Sequence, residues 1–219
     1  MIRSRQLWAI NVQNLWLSNN FLSGTIPKAV TNLNSVVSLL LNMNILAGDL
    51  DGVFNGDSQK KLATVVFSNN FLTGPLPPAL FTLPQLQVLI ATSNCIQGPF
   101  PNELCGAQNL TNLIITGIGT ATNCQNRFFP DWTKINSFSL KFPFAGGIPS
   151  CLLSLSSLEM LSMSSTGMTG TIPSDVVLTS IYSIGARLNR LTGTIPDSMQ
   201  TYQNWNHLNL QGICTNTQS

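Results

Sequence analysis

The chain has 219 residues, enough for one domain with a substantial core, and its ten basic and eight acidic side chains make up only 8% of it, against about 25% in typical soluble domains. A net charge of +2 supplies neither the basic stripe that nucleic acid binding needs nor the basic face that draws a protein to anionic membranes, and a single histidine, His207, with so few carboxylates leaves little material for acid–base pairs, metal shells or cofactor sites. Apolar stretches such as Val36-Val37-Ser38-Leu39-Leu40-Leu41 fall far short of the roughly 20 residues that span a bilayer, and Met1 to Arg5 precede no apolar signal core.

In chain order, the first predicted strand lies in Leu15-Trp16-Leu17-Ser18-Asn19-Asn20-Phe21-Leu22 and is followed by Gly24-Thr25-Ile26-Pro27. Leu33, Val36, Leu39 and Leu41 mark the second strand, with the degenerate Gly48-Asp49-Leu50-Asp51 after it. Val65-Val66-Phe67 and Gly74-Pro75-Leu76-Pro77 form the third unit; Leu83, Leu86, Leu89, Ala91 and Gly98-Pro99-Phe100-Pro101 form the fourth. Further strands are predicted at Leu113–Ile115, Phe138–Leu140, Leu161–Met163, Ile184–Ala186 and Leu208–Leu210, with Gly146-Gly147-Ile148-Pro149, Gly170-Thr171-Ile172-Pro173 and Gly193-Thr194-Ile195-Pro196 between the last of them. The glycines step by 24, 26, 24, 48, 24 and 23 residues, and the step of 48 reads as two units, one of which has lost its signature. The spacing therefore predicts nine strands and about nine coils over 1–219, a single unit and, lacking visible caps, a fragment of a longer array.

Each element of the repeat has a physical reading. The closing L-x-L has the period of two that a short strand with one buried face requires. No coil can bury its leucines alone, so stacked coils share a continuous core. Asn20, Asn44, Asn70, Asn94 and Asn189 share one offset, where an inward amide can bond backbone groups that the turn leaves unpaired. The proline lacks an N–H, so it stops strand pairing and starts an irregular or 3₁₀ return on the convex side.

The pattern L-x-x-L-x-L-x-x-N-x-L followed by Gly-x-Ile-Pro resembles the plant-type leucine-rich repeat, and it covers nearly the whole chain. Similar patterns occur in ectodomains of plant receptor-like kinases, in polygalacturonase inhibitors and in diatom-like algal repeat proteins. The resemblance implies a right-handed α/β-class solenoid with a curved parallel sheet inside. It also implies an extracellular or cell-surface setting and a binding surface for a protein or peptide, not a catalyst.

Departures from the repeat are the remaining candidates. Thr116 to Arg127, with Gly117, Gly119 and Thr120, carries about five extra residues and predicts a bulging loop beside the sheet, while Ile118, Pro143 and Thr166 stand where the asparagines should continue. The five cysteines lack zinc-site spacing. A Cys105–Cys124 bridge stapling that loop, with Cys95 as the competing partner, is set against small buried thiols; the likeness to secreted proteins favours the bridge. Asn109-Leu110-Thr111 is a lone glycosylation sequon. Asp49, Asp51, Asn55 and Asp57 lack the spacing of a calcium loop and read as solvated, and His207 reads as a surface residue.

Side chains alternate along a strand, so the residue between the two buried ones faces the concave side. In order these are Trp16, Leu40, Val66, Ile90, Ile114, Ser139, Ser162, Gly185 and Asn209. The first five predict an apolar ligand-binding strip about 20 Å long. The second reading is a surface-structural protein whose neutral exterior, through Ser18, Ser68, Thr92, Thr116 and Ser164, binds glycan, cell wall or ice.

Overall fold

The computed structural model describes residues 11–118, 144 and 146–212. Among these residues fourteen short strands follow one another: β1 Asn14–Trp16, β2 Ser23–Gly24, β3 Ser38–Leu40, β4 Ile45–Gly48, β5 Thr64–Val66, β6 Phe71–Pro75, β7 Val88–Ile90, β8 Cys95–Gln97, β9 Asn112–Ile114, β10 Met160–Ser162, β11 Thr169–Thr171, β12 Ser183–Gly185, β13 Arg190–Thr192 and β14 His207–Asn209. Among the described residues the concave sheet has eight strands, all parallel, in the order β1-β3-β5-β7-β9-β10-β12-β14. The chain is a leucine-rich solenoid in which each strand pairs with those of the coils above and below.

The L-x-L alternation explains the core. In β3, β5, β7, β9, β10 and β12 the central residue is buried and its two neighbours are half-exposed. Leu33, Val36, Leu39 and Leu41 are enclosed in one coil, and Leu83, Leu86, Leu89 and Ala91 occupy the same places two coils on. At the convex corner Pro27, Pro77, Pro101, Pro149 and Pro196 stand extended before single turns of 3₁₀ or α-helix.

A second set of parallel strands, β2-β4-β6-β8 and β11-β13, runs through Gly24, Gly48, Gly74 and Gly170 and ends just before Gly98 and Gly193. The sequence pattern predicts no strand there, only the proline that stops pairing and opens the convex return. Glycine is required there for both conformation and space: Gly48 has φ +91°, and a Cβ on it would lie 2.8 Å from Thr25 Cγ2 of the preceding coil.

One expectation falls outside the described residues and another is corrected. The strand expected at Phe138–Leu140 is the first; within the described residues Leu113 of β9 pairs directly with Leu161 of β10. The stack closes over the step of 48 residues. Phe144 bridges to Gly98, and its ring meets that of Phe100 edge-on at 4.7 Å, so the Gly98 and Gly146 segments belong to adjacent coils.

The bridge is Cys105–Cys151, not Cys105–Cys124. With β9 beside β10, the convex turns Asn102–Gly106 and Ser150–Leu153 face each other. This brings the two Cα atoms to 5.5 Å, inside the range a disulfide needs. Cys124 lies outside the described residues, and Cys95 is buried in β8.

Candidate ligand-binding face

The register of the concave sheet sets Trp16, Leu40, Val66, Ile90, Ile114, Ser162, Gly185 and Asn209 side by side in one row. At about 4.8 Å per strand the first five span about 20 Å. Leu40, Val66, Ile90 and Ile114 are half-exposed, whereas Trp16 at the end of the strip is 67% exposed and donates its indole N–H to Ser38 Oγ at 3.4 Å. Their strand neighbours Leu39, Val65, Leu89 and Leu113 are fully buried, so the row can be altered without opening the core. The sheet thus brings together five of the residues expected to bind ligand. Gly117 lies instead in the turn leaving β9, with φ +68° and its N–H bonded to Ser164 O; Gly119 and Thr120 lie outside the described residues.

Beyond Ile114 the face changes character. Ser162 and Gly185 carry so little bulk that a depression opens between Ile114, Thr116, Ser162, Gly185, Arg187 and His207. The Thr116 and Ser162 hydroxyls are hydrogen-bonded to each other at 2.7 Å, and Arg187 and His207 are exposed at the rim. The sequence pattern places Ser162, Gly185 and Asn209 on this face but does not single out Arg187, two positions past Gly185. The signal was available in the period of two, which continues from Gly185 to Arg187.

The turn asparagines are structural groups at the exit edge of this face. Asn44 Nδ2 donates to Leu41 O in its own turn and to Leu17 O of the preceding coil, while its Oδ1 accepts from Leu22 N–H. Asn70 and Asn94 repeat the arrangement. Asn20, which is exposed, reaches only Leu17 O and Ser18 O of its own turn. Where Thr166 replaces asparagine, Asn189 of the next coil compensates: its Oδ1 accepts from the Thr166 N–H and hydroxyl and from the N–H groups of Gly167 and Met168. Ile118 at the same offset is fully buried. The exit edge also exposes Phe21, Met43 and Ile45.

The hydroxyl row is not a free array. Ser68 and Ser164 are buried, Ser18 Oγ donates to Asn42 Oδ1 at 2.6 Å, and Ser68 Oγ accepts from Thr92 N–H. In the acidic loop, Asp49 and Asn55 side chains accept backbone N–H groups two residues on. Among the described residues no group of three or more His, Cys, Asp or Glu side chains is placed to hold a metal ion.

The leucine-rich repeat family model matches residues 11–33. The stack of parallel strands also superimposes on a plant peptide hormone receptor, RGFR1, solved in complex with RGF2: TM-score 0.76, 25% identity, 94% of this chain and 28% of that one. The chain has the leucine-rich repeat fold. This repeat protein has the same fold as the Arabidopsis receptor kinase HAESA ectodomain, solved with a peptide hormone ligand (TM-score 0.76, 22% identity, 93% of this chain, 30% of that one). It also shares the fold of a plant ice-binding protein (TM-score 0.62, 21% identity, 93% and 65%). It spans about three-tenths of the length of the two receptor chains. A search of curated proteins finds no match. Among the described residues no helix is long and apolar enough to cross a membrane.

Proposed function

We propose that this repeat protein is a non-enzymatic, extracellular or cell-surface recognition module that binds a protein or peptide across its concave face. The observation that carries the reading is the register-aligned strip from Trp16 to Ile114, apolar on five successive strands and ending in an exposed indole. Contiguous exposed apolar surface on a rigid sheet is the usual mark of an interaction site, and two proteins of the same fold were solved with peptide hormones. The polar depression at β10–β14 would receive a polar end of the same ligand, giving it a direction along the sheet. The surface-structural reading is weaker, because of the hydroxyls it requires Ser68 and Ser164 are buried and those of Ser18 and Thr116 are bonded to Asn42 and Ser162.

A phage-displayed library of random peptides, selected on the folded chain and re-synthesised free of phage, supplies the probe. Ile90→Ser should weaken the selected peptides about thirtyfold or more, as central anchors do, with the melting temperature nearly unchanged; Ser162→Ala should have a small effect. Peptides that bind Ile90→Ser as well as the parent chain would place recognition elsewhere.

A further inference from the structure

We infer that Asn109 is an N-glycosylation site whose glycan is added before its coil closes, an inference that rests on the extracellular reading above. Asn109-Leu110-Thr111 is the chain's sole N-x-S/T tripeptide. It lies between the convex turn Asn102–Gly106 and β9, at the edge where the concave strands begin. The Asn109 side chain is exposed and donates one Nδ2 hydrogen to Pro84 O of the preceding coil at 2.8 Å.

An amide nitrogen carries two hydrogens. In the transfer, Nδ2 forms a bond to the anomeric carbon of a lipid diphosphate-linked oligosaccharide. The bond from that carbon to the diphosphate oxygen breaks, the lipid diphosphate leaves with the electron pair, and the amide gives up one proton. The product keeps an N–H, so the bond to Pro84 O survives glycosylation and the glycan projects into solvent.

The rest of the tripeptide is held by the fold. Leu110 is fully buried, and the Thr111 hydroxyl is 3.0 Å from Gln87 O and 2.8 Å from Asn112 Oδ1. A transferase must draw the tripeptide into its own site, which would pull Leu110 out of the core. The unfolded chain is therefore the substrate. Once added, the glycan covers the entry edge of the sheet near β9, leaving the concave face and the exit edge open to a partner.

The test expresses the full chain behind a signal peptide in insect cells and compares the mass of medium and cell-associated protein before and after glycan-cleaving amidase. The parent chain and Thr111→Ser should each lose one glycan, whereas Asn109→Gln and Thr111→Ala should carry none. A bare-polypeptide mass for the parent chain in both fractions overturns the site. With purified transferase and a lipid-linked oligosaccharide donor, the reduced, unfolded bacterial chain should accept the glycan and the folded chain should not; equal acceptance overturns the ordering. Fractionation of the source cells tests the extracellular reading separately, since a cytosolic chain would defeat that reading even if the secreted form is modified.

Discussion

Asn189 does the work of two residues. Its Oδ1 accepts four hydrogen bonds from Thr166, Gly167 and Met168, and its Nδ2 donates to Met163 O and Ala186 O, all in the interior. Asn189→Ala would strand several buried backbone groups at once, so it should destabilise by about 3 kcal/mol. Asn20→Ala, at an exposed turn with two bonds, should cost about 1 kcal/mol or less; urea denaturation of the two variants side by side checks the difference. Met43 points the other way. It sits at φ +57° where the same turn in adjacent coils holds Asn19 and Asn69, and it is half-exposed, so little burial offsets a conformation that asparagine tolerates better. Met43→Asn should raise the urea midpoint by the equivalent of about 0.5–1 kcal/mol. The asparagine offsets were visible in the sequence because one amide serves one turn. That Asn189 also covers for Thr166 was not, since it depends on contact with a neighbouring coil 23 residues away.

At the level of elements, the L-x-L pattern was enough to place each concave strand and to say which residue faced outward, because a period of two leaves only one choice once a leucine is buried. The second sheet was missed for a physical reason: β2, β4, β6 and β11 hold Gly24, Gly48, Gly74 and Gly170 at positive φ, and β6 ends on Pro75, which has no donor, features that weigh against strand in a propensity reading. The cysteine pairing was missed because it depends on which coils are neighbours. Cys105 and Cys151 are 46 residues apart in sequence, and closing a loop of that size restricts the unfolded chain by roughly 4 kcal/mol on the chain-entropy account. Replacing both cysteines with serine should lower stability by up to about that amount, and reductant should lower the parent chain's denaturation midpoint while leaving the double variant unaffected.

For the whole molecule, periodicity predicted nine coils where the concave sheet passes straight from β9 to β10. A repeat count measures chain length, and residues 120–143 amount to one repeat length, so they leave every later glycine in phase. Joining Gly119 directly to Phe144 would restore the spacing of Asn94-Cys95-Ile96, with Ile118 in the asparagine's place and Phe144 in that of Ile96. Deletion of residues 120–143 should therefore yield a folded chain that still forms the Cys105–Cys151 bridge, with a melting temperature within a few degrees of the parent. Non-reducing peptide mapping and a thermal scan would check both, and loss of the bridge would show that the stack needs the excised residues.

The same bridge joins the chain on either side of residues 119–143, so a cut within that stretch would not divide the particle. Cys105 and Cys151 lie on either side of that stretch, and β9 holds β10 by a full set of strand pairs. A protease acting anywhere within residues 119–143 would produce two polypeptides that remain one covalent, stacked body. They would separate only under a reductant and a denaturant together, so a processed form of this protein would have the size of the intact chain until both were applied.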